Sequence, residues 1–312
     1  MMKSVLVIMM LAGLASSLKA QIPPDVAAKV AAIGRNVDPP GTAQMYAPLQ
    51  RPAPLGILLR ENVAYGPDEK DRFDLLQEPA RKGEKRPIVI FVHGGAFRLD
   101  DKSRLPDGRP SPFYGNVLLW AVRNHMVGIN MNYALAPAVT YPAVQRDIAT
   151  VVAWARKHAA EFGGDPDRIV LWGHSAGTSH VATYLAHPEV YADIDGARAP
   201  VAAAILFSGV YNMGSDKGDH IYFGPVAGLK DRSANEGLVR SSVPLFLEVA
   251  ELDPESLIAQ YESLRRELSQ AHRHAQFLLA KGHGHMSEIY SINTADEGIT
   301  APVLRFLRSE LR

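Results

Sequence analysis

A ten-residue stretch, RIVLWGHSAG at 168–177, constrains the fold of this chain more than any other part of its sequence. Four apolar residues lead directly into a Gly-His-Ser-Ala-Gly turn, and an alanine-rich segment with helical character follows. This order predicts a buried strand, a sharp turn and the start of a helix. Glycines two positions before and after Ser175 keep β-carbons out of the bend, and the free N–H groups of the helix point to the same place. Ser175 is therefore a candidate nucleophile.

Continuous apolar runs alternate with helical patterns along most of the chain. Such runs are typical of strands that are buried on both faces of a sheet. The expected strands are 57–65, 72–77, 87–92, 127–133, 169–172, 201–207, 244–250 and 275–280, and the expected helices are 117–124, 144–162, 175–186, 255–271 and 295–311. The alternation predicts an α/β fold, with a mostly parallel sheet that is covered by helices on both faces. One catalytic domain, residues 57–312, accounts for all of these elements.

Residues 1–20 follow the order of a secretory signal peptide, with a basic residue, then an apolar run, then small residues. The apolar run is shorter than the roughly 20 residues that a membrane span needs. We expect cleavage after Ala20; a cut after Ser17 and an uncleaved anchor are the alternatives. The mature protein would then be exported, either periplasmic or secreted, without stable membrane association.

Charge balance and cysteine content exclude several classes of function. Lysines plus arginines number 33, as do aspartates plus glutamates, and no block of like charge stands out. This balance argues against a nucleic-acid-binding role. The chain contains no cysteine, which excludes disulfides, a thiol nucleophile and thiolate-bound zinc.

Three further segments fit the sheet poorly. Residues 21–56 contain seven prolines, so we expect one short helix at 25–34 and otherwise extended linker or loop. The polar segment 98–111 is expected to be a solvated loop. Residues 213–241 contain five glycines and predict a lid-like insertion with one or two short helices. The last two segments leave the carboxyl ends of strands, where open α/β sheets place their sites.

A serine nucleophile needs a base, which is usually a histidine that a carboxylate orients. Glu251 and Asp253 follow the expected strand at 244–250, and His283 and His285 follow the one at 275–280. Nucleophile, acid and base thus occur in that order, each at the carboxyl end of its own strand. Either carboxylate and either histidine satisfies this pattern.

The histidines also allow a different interpretation, in which His272, His274, His283 and His285 bind a metal. A His-x-His pair can place two imidazoles on one side of an extended chain. No carboxylate lies nearby at ligand spacing, so we expect neither a metal nor another cofactor. Four other histidines are expected at the surface or at helix ends, and these are His125, His158, His180 and His187.

Four segments together resemble the α/β-hydrolase carboxylesterases of the hormone-sensitive-lipase-like group and the neighbouring feruloyl-esterase-like and formamidase-like enzymes. They are HGGAF at 93–97, NYALAP at 132–137, GHSAG at 173–177, and the pair ELDP at 251–254 with GHGHMS at 282–287. The resemblance implies an eight-stranded, mostly parallel sheet. It also implies hydrolysis of small-molecule esters through an acyl-enzyme, with no cofactor.

The resemblance also selects among the candidate residues. Asp253 precedes a proline as the family's triad acid does, and His285-Met286-Ser287 matches its His-x-Ser pattern, so the implied triad is Ser175, Asp253 and His285. Main-chain N–H groups of Gly95, Ala96 and Ala176 would form the oxyanion hole, with Gly94 needed for the turn. The chain departs from the family at Ala96, where a third glycine is more common, and at Thr178.

Two other functions remain compatible with these residues. The same triad could cleave an amide, as in a formamidase or a peptidase, although 292 mature residues leave no room for the large extra domain of such peptidases. A hydrolase fold that only binds would be marked by a lost triad member, and none is lost here. We therefore expect an esterase for short or aromatic acyl groups.

Overall fold

An eight-stranded sheet forms the centre of the computed structural model, which describes residues 22–103, 111–196, 200–214, 220–225 and 227–312. The strands are β1 Leu58–Ala64, β2 Arg72–Gln77, β3 Arg86–Val92, β4 Val127–Met131, β5 Gly164–His174, β6 Ala203–Phe207, β7 Leu245–Ala250 and β8 Ala275–Ala280. Their spatial order is β1-β2-β4-β3-β5-β6-β7-β8. Strand β2 lies antiparallel to β1 and β4, and all other neighbouring pairs are parallel. The predicted α/β fold is confirmed.

Helices cover both faces of this sheet. They are α1 Pro24–Ile33, α2 Pro39–Tyr46, α3 Gly115–Arg123, α4 Ala143–His158, α5 Ala176–Ala186, α6 His220–Phe223, α7 Asn235–Arg240, α8 Glu255–Gln270, α9 Ser287–Tyr290 and α10 Thr300–Glu310. Because successive side chains of a strand point to opposite faces, Ile88 and Ile90 of β3 join one apolar cluster while Val89 and Phe91 join the other. No helix among the described residues is both long and apolar enough to span a membrane. The predicted signal peptide lies outside the described residues.

The proline-rich segment contains a second helix, α2, where the sequence indicated extended chain. Pro39 and Pro40 occupy its first turn, where the missing N–H groups have no intrahelical partner to lose. The Asp38 side chain accepts a hydrogen bond from the Gly41 N–H at 3.0 Å and caps the helix. Tyr46, at its end, is fully buried against the core. The expectation of extended chain was wrong here because these prolines begin a helix.

The polar segment 98–111 is not uniformly solvated where the structure describes it. Lys102 is only 4% exposed, and its Nζ lies 2.7 Å from Asp74 Oδ1. Its main-chain N–H donates to Asn132 Oδ1, and its carbonyl accepts from Asn130 Nδ2. A buried cation needs such partners, so this part of the segment is anchored to the sheet rather than free in solvent.

The C-terminal helix is shorter than expected, since α10 begins at Thr300 rather than at residue 295. Asp296 Oδ1 accepts a hydrogen bond from the Gly298 N–H at 2.9 Å. This local bond closes a turn that competes with the helix. The described residues of the insertion at 213–241 contain two short helices, α6 and α7.

Candidate active site

The turn that holds Ser175 connects β5 to α5 at the carboxyl edge of the sheet. Ser175 has φ 55° and ψ −123°, a strained conformation for a residue with a side chain. A β-carbon on Gly177 would lie 2.0 Å from the Val92 carbonyl oxygen, and one on Gly173 would lie 2.5 Å from Thr178 Cα. Both motif glycines are therefore required by close backbone approach.

The three residues of the implied triad meet at this edge. His285 Nε2 lies 2.9 Å from Ser175 Oγ, and His285 Nδ1 lies 2.7 Å from Asp253 Oδ1. Asp253 is fully buried, and its Oδ2 accepts a hydrogen bond from the Ala250 N–H at 2.8 Å. This geometry lets His285 remove the Ser175 proton while Asp253 fixes the imidazole tautomer.

The competing carboxylate and histidine have other partners. Glu251 accepts a hydrogen bond from the Gly282 N–H at 2.8 Å. His283 is buried, with its Nε2 3.2 Å from Asp296 Oδ2. Of the histidines considered as metal ligands, His274 pairs with Glu310 at 2.9 Å. The structure thus gives these residues contacts away from Ser175 rather than in one shared site.

The loop after β3 brings residues 93–97 beside the nucleophile. Gly95 has φ 113°, and Ala96 and Phe97 also have positive φ values of 48° and 67°. Tyr133 supports this loop from below, with its hydroxyl 2.8 Å from the His93 carbonyl oxygen and 3.0 Å from that of Gly94.

Gly94 does not have a positive φ, so glycine is required at this position by a close contact rather than by the backbone conformation of the turn. A β-carbon at Gly94 would lie 3.1 Å from Ser175 Cβ. Ala96 and Ala176 line the cleft around Ser175 together with Gly95. The residues implied as the oxyanion hole are thus assembled around the nucleophile.

Replacing Gly95 by alanine should lower kcat for the reaction of Ser175 by about 10²–10³-fold, the typical effect of losing one oxyanion donor. The added β-carbon would lie 2.1 Å from the Leu99 carbonyl oxygen, and the positive φ disfavours any side chain, so the loop must move. Steady-state kinetics on an ester measure the effect. Gly115→Ala is the control, because nothing lies within 4 Å of its added β-carbon. Equal activity of Gly95→Ala and wild type would contradict this role for the loop.

A cleft of about 430 Å³ opens above Ser175. Its walls are mainly apolar, formed by Val37, Pro39, Phe97, Leu99, Val210, Ile221, Leu257 and Met286. Val37 and Pro39 come from the N-terminal segment, and Ile221 comes from α6 of the insertion. Both segments outside the central sheet therefore line the cleft.

Arg35 connects the N-terminal segment to the acid of the triad. Its Nη1 lies 2.5 Å from the Asp253 carbonyl oxygen and 3.3 Å from that of Glu251. No sequence pattern predicted this contact, since an arginine is usually solvated. Arg35 stabilises the loop that positions Asp253.

A second set of buried polar residues lies behind the triad, and sequence analysis missed all of it. Ser208 follows β6, and its Oγ lies 2.5 Å from Asp253 Oδ2 and 2.8 Å from Glu288 Oε2. Glu248 of β7 lies beside Glu288, and both glutamates are fully buried. Burial raises the pKa of each carboxyl well above its ordinary value. The sequence contains one indication of this buried set, because Glu248 interrupts the otherwise apolar run at 244–250.

His174 packs against the same set from the motif itself. Its Nε2 lies 2.9 Å from the His285 carbonyl oxygen and 3.3 Å from Glu288 Oε1. Burial, with a smaller contribution from His285, lowers the pKa of His174 well below its ordinary value. His174 is therefore a neutral residue that holds the backbone of His285.

His180 is fully buried, so its expected position at the surface or a helix end was wrong. Its ring lies 5.3 Å from that of Phe97 and 4.6 Å from that of Tyr222. Burial, with a smaller contribution from His93, lowers the pKa of His180 to about 3. A neutral imidazole can pack in an aromatic cluster without the penalty of a buried charge.

Comparison with known proteins finds relatives that are named as esterases. A family model described as BD-FAE matches residues 73–215. Esterase LipQ of Mycobacterium tuberculosis is 28% identical over 203 residues, which cover 62% of this chain and 46% of LipQ. The para-nitrobenzyl esterase of Bacillus subtilis is 30% identical over 121 residues, 35% of this chain and 23% of that enzyme. The chain spans less than half the length of either relative.

Solved structures of other proteins superpose on this chain over nearly its whole length. A bacterial heroin esterase superposes with a TM-score of 0.68 at 21% identity, over 94% of this chain and 99% of that chain. A thermostable esterase from Pseudomonas putida ECU1011 gives 0.66 at 17% identity, over 92% and 97%. The chain has the α/β-hydrolase fold, and the relatives that it matches are named as esterases.

Proposed function

We propose that this protein is a serine carboxylesterase that hydrolyses small-molecule esters through an acyl-enzyme. The observation that carries the proposal is the hydrogen-bonded line from Ser175 through His285 to Asp253, at the floor of an apolar cleft. The names of the related proteins support the ester bond as the target.

The reaction follows from the positions of these groups. Ser175 Oγ attacks the ester carbonyl carbon while His285 Nε2 takes its proton, and the Asp253 carboxylate stabilises the resulting imidazolium. Main-chain N–H groups of the loop at 94–96 and of Ala176 stabilise the negative oxygen of the tetrahedral intermediate. His285 then protonates the departing alcohol. Water repeats the sequence on the acyl-enzyme and releases the carboxylic acid.

The size and lining of the cleft favour short or aromatic acyl groups. We expect kcat/KM for p-nitrophenyl acetate or butyrate to exceed that for the dodecanoate ester by about tenfold or more, since the longer chain must leave the cleft. A panel of p-nitrophenyl esters of increasing acyl length, with the matched p-nitroanilides, tests both the ester bond and the acyl preference. Faster cleavage of the anilides would instead favour an amide hydrolase, and no turnover of any compound would favour a binding protein.

We further propose that the protein is exported and that residues 1–20 are removed. The order of basic, apolar and small residues supports this proposal. Expression of the full chain in a bacterium, followed by fractionation and N-terminal sequencing, should give a periplasmic or secreted protein that begins at Gln21. Full-length protein that stays in the cytoplasm would contradict it.

A further inference from the structure

The contacts of the buried residues behind the triad show how many of their carboxyl groups must be protonated. The Ser208 hydroxyl has one hydrogen but lies within hydrogen-bond distance of two carboxyl oxygens, Asp253 Oδ2 at 2.5 Å and Glu288 Oε2 at 2.8 Å. If both carboxyls were ionised, one of these contacts would place two oxygens together with no proton between them. One of the two carboxyl groups must therefore be protonated.

The groups that surround Asp253 and Glu288 determine which of the two carboxyls is protonated. Asp253 also faces the His285 ring at 2.7 Å and the Ala250 N–H at 2.8 Å, which are donors that favour an ionised acid. Among the described residues, no such donor serves Glu288, because the His174 Nε2 beside it lies closer to the His285 carbonyl oxygen. Glu288 is therefore the protonated partner and donates to Ser208, and Ser208 donates to Asp253.

The protonation state of Glu248 follows from the same count of protons. A carboxyl group has one proton, and that of Glu288 is used on Ser208. Glu248 lies beside Glu288 and is fully buried, so a hydrogen bond between the two glutamates would need the proton of Glu248. Within the described residues no main-chain or hydroxyl donor reaches either oxygen of Glu248, and no lysine or arginine pairs with either glutamate. An ionised Glu248 would thus be a buried charge without compensation.

Other titratable groups face this cluster from the surrounding elements. Tyr211 follows β6, Tyr261 belongs to α8 and His174 ends β5. Burial is the main cause that raises the pKa of both tyrosines and lowers that of His174, so all three remain neutral at neutral pH. None of them supplies a cation to offset ionised glutamates.

We propose that Glu248 donates a hydrogen bond to Glu288, Glu288 donates to Ser208, and Ser208 donates to Asp253. Both glutamates are then uncharged, and Asp253 is the single negative charge of this cluster. The inference rests on the proposed function, because Asp253 acts as the triad acid there. Ser208 and Glu288 are positioning residues in this scheme. They hold the Asp253 carboxylate toward His285 without adding negative charge that would change the proton affinity of the base.

The number of protons released on unfolding tests the charge state without any use of catalysis. Exposed glutamates ionise near pH 4.3, so two neutral glutamates must each lose a proton when the chain unfolds at pH 7. We expect wild type to release about two more protons per chain in concentrated urea than the Glu248→Gln/Glu288→Gln double variant, and about one more than either single variant. Glu297→Gln, which alters an exposed glutamate, should match wild type. Equal release by wild type and the double variant would overturn the proposal.

A measurement on the unmodified protein covers the case in which the variants do not fold. The infrared C=O stretch of a protonated carboxyl is separate from the bands of a carboxylate. We expect this protonated band in folded wild-type protein at pH 7 and its disappearance on unfolding. Its absence from the folded protein would also overturn the proposal.

Kinetics test the positioning role. Glu288→Gln keeps an N–H donor for Ser208, whereas Glu288→Leu and Ser208→Ala break this series of hydrogen bonds. We expect the latter two to lose about 10–100-fold in kcat with little change in KM, and Glu288→Gln to remain close to wild type with an unshifted acid limb of its pH profile. An equal loss in Glu288→Gln and Glu288→Leu would contradict the role, as would an acid limb that moves to lower pH in Glu288→Gln. An inactive wild type with the expected proton release would refute the proposed function alone.

Discussion

Replacing Ser175 by alanine is expected to lower kcat for ester hydrolysis by about a million-fold, because the methyl group cannot form the acyl-enzyme. Turnover of p-nitrophenyl butyrate by purified protein, corrected for spontaneous hydrolysis, measures the loss. The oxyanion donors and the cleft remain in this variant, so slow hydrolysis above the rate in water should persist.

A matched serine variant separates this effect from a general disturbance of the fold. Ser263 belongs to α8, where its hydroxyl lies 3.2 Å from Glu267 Oε1, and Ser263→Ala should keep wild-type kcat and KM. If Ser175→Ala retained more than a few per cent of wild-type activity after purification, the hydrolysis would have to use another nucleophile.

Replacing Asp253 by asparagine is expected to lower kcat by about 10⁴-fold while leaving the fold intact. The amide N–H₂ of asparagine can donate toward His285 Nδ1, which favours the wrong tautomer, and a neutral amide cannot stabilise the imidazolium. A pH series of kcat/KM, together with circular dichroism of the variant, measures the catalytic effect apart from folding.

Glu251→Gln is the control for that variant, since either acid satisfies the spacing and the resemblance favoured Asp253. Glu251 accepts a hydrogen bond from the Gly282 N–H at 2.8 Å, and the amide oxygen of glutamine can accept the same bond, so this variant should change loop stability and kcat little. The assignment of the acid would be reversed if Glu251→Gln lost activity while Asp253→Asn kept it.

The local patterns of the sequence predicted the fold and the elbow correctly. Each buried strand is a short apolar run, and the Gly-x-Ser-x-Gly turn needs its glycines for reasons that involve neighbouring residues. The alternation of strands and helices then determines a mostly parallel sheet. These features need no knowledge of distant contacts, so the sequence alone was sufficient for them.

The choice between His283 and His285 depended on distant contacts that spacing cannot supply. Both histidines occupy one glycine-containing loop, and Asp253 and Asp296 each lie beside one of them. Only the folded chain shows that His285 faces Asp253 and Ser175, whereas His283 faces Asp296. The sequence had favoured His285 only through its resemblance to a family.

Buried polar residues were the main class that sequence reasoning missed. Lys102, His180 and Glu288 have polar or ionisable side chains, which are usually exposed, yet all three are buried. Each is compensated in a way that only the fold reveals: Lys102 pairs with Asp74, burial keeps His180 neutral, and Glu288 contacts Ser208. Patterns of hydrophobicity cannot predict such compensation.

Covalent labelling tests the central claim, that Ser175 is the nucleophile of an assembled triad, most directly. The wild-type protein is treated with a fluorophosphonate, and peptide mass spectrometry locates the adduct while residual esterase activity is followed. We predict one adduct per chain, on Ser175, with activity lost in proportion to labelling and with no adduct in Ser175→Ala. Inactivation with the adduct on another residue, or full activity after complete labelling of Ser175, would contradict the account.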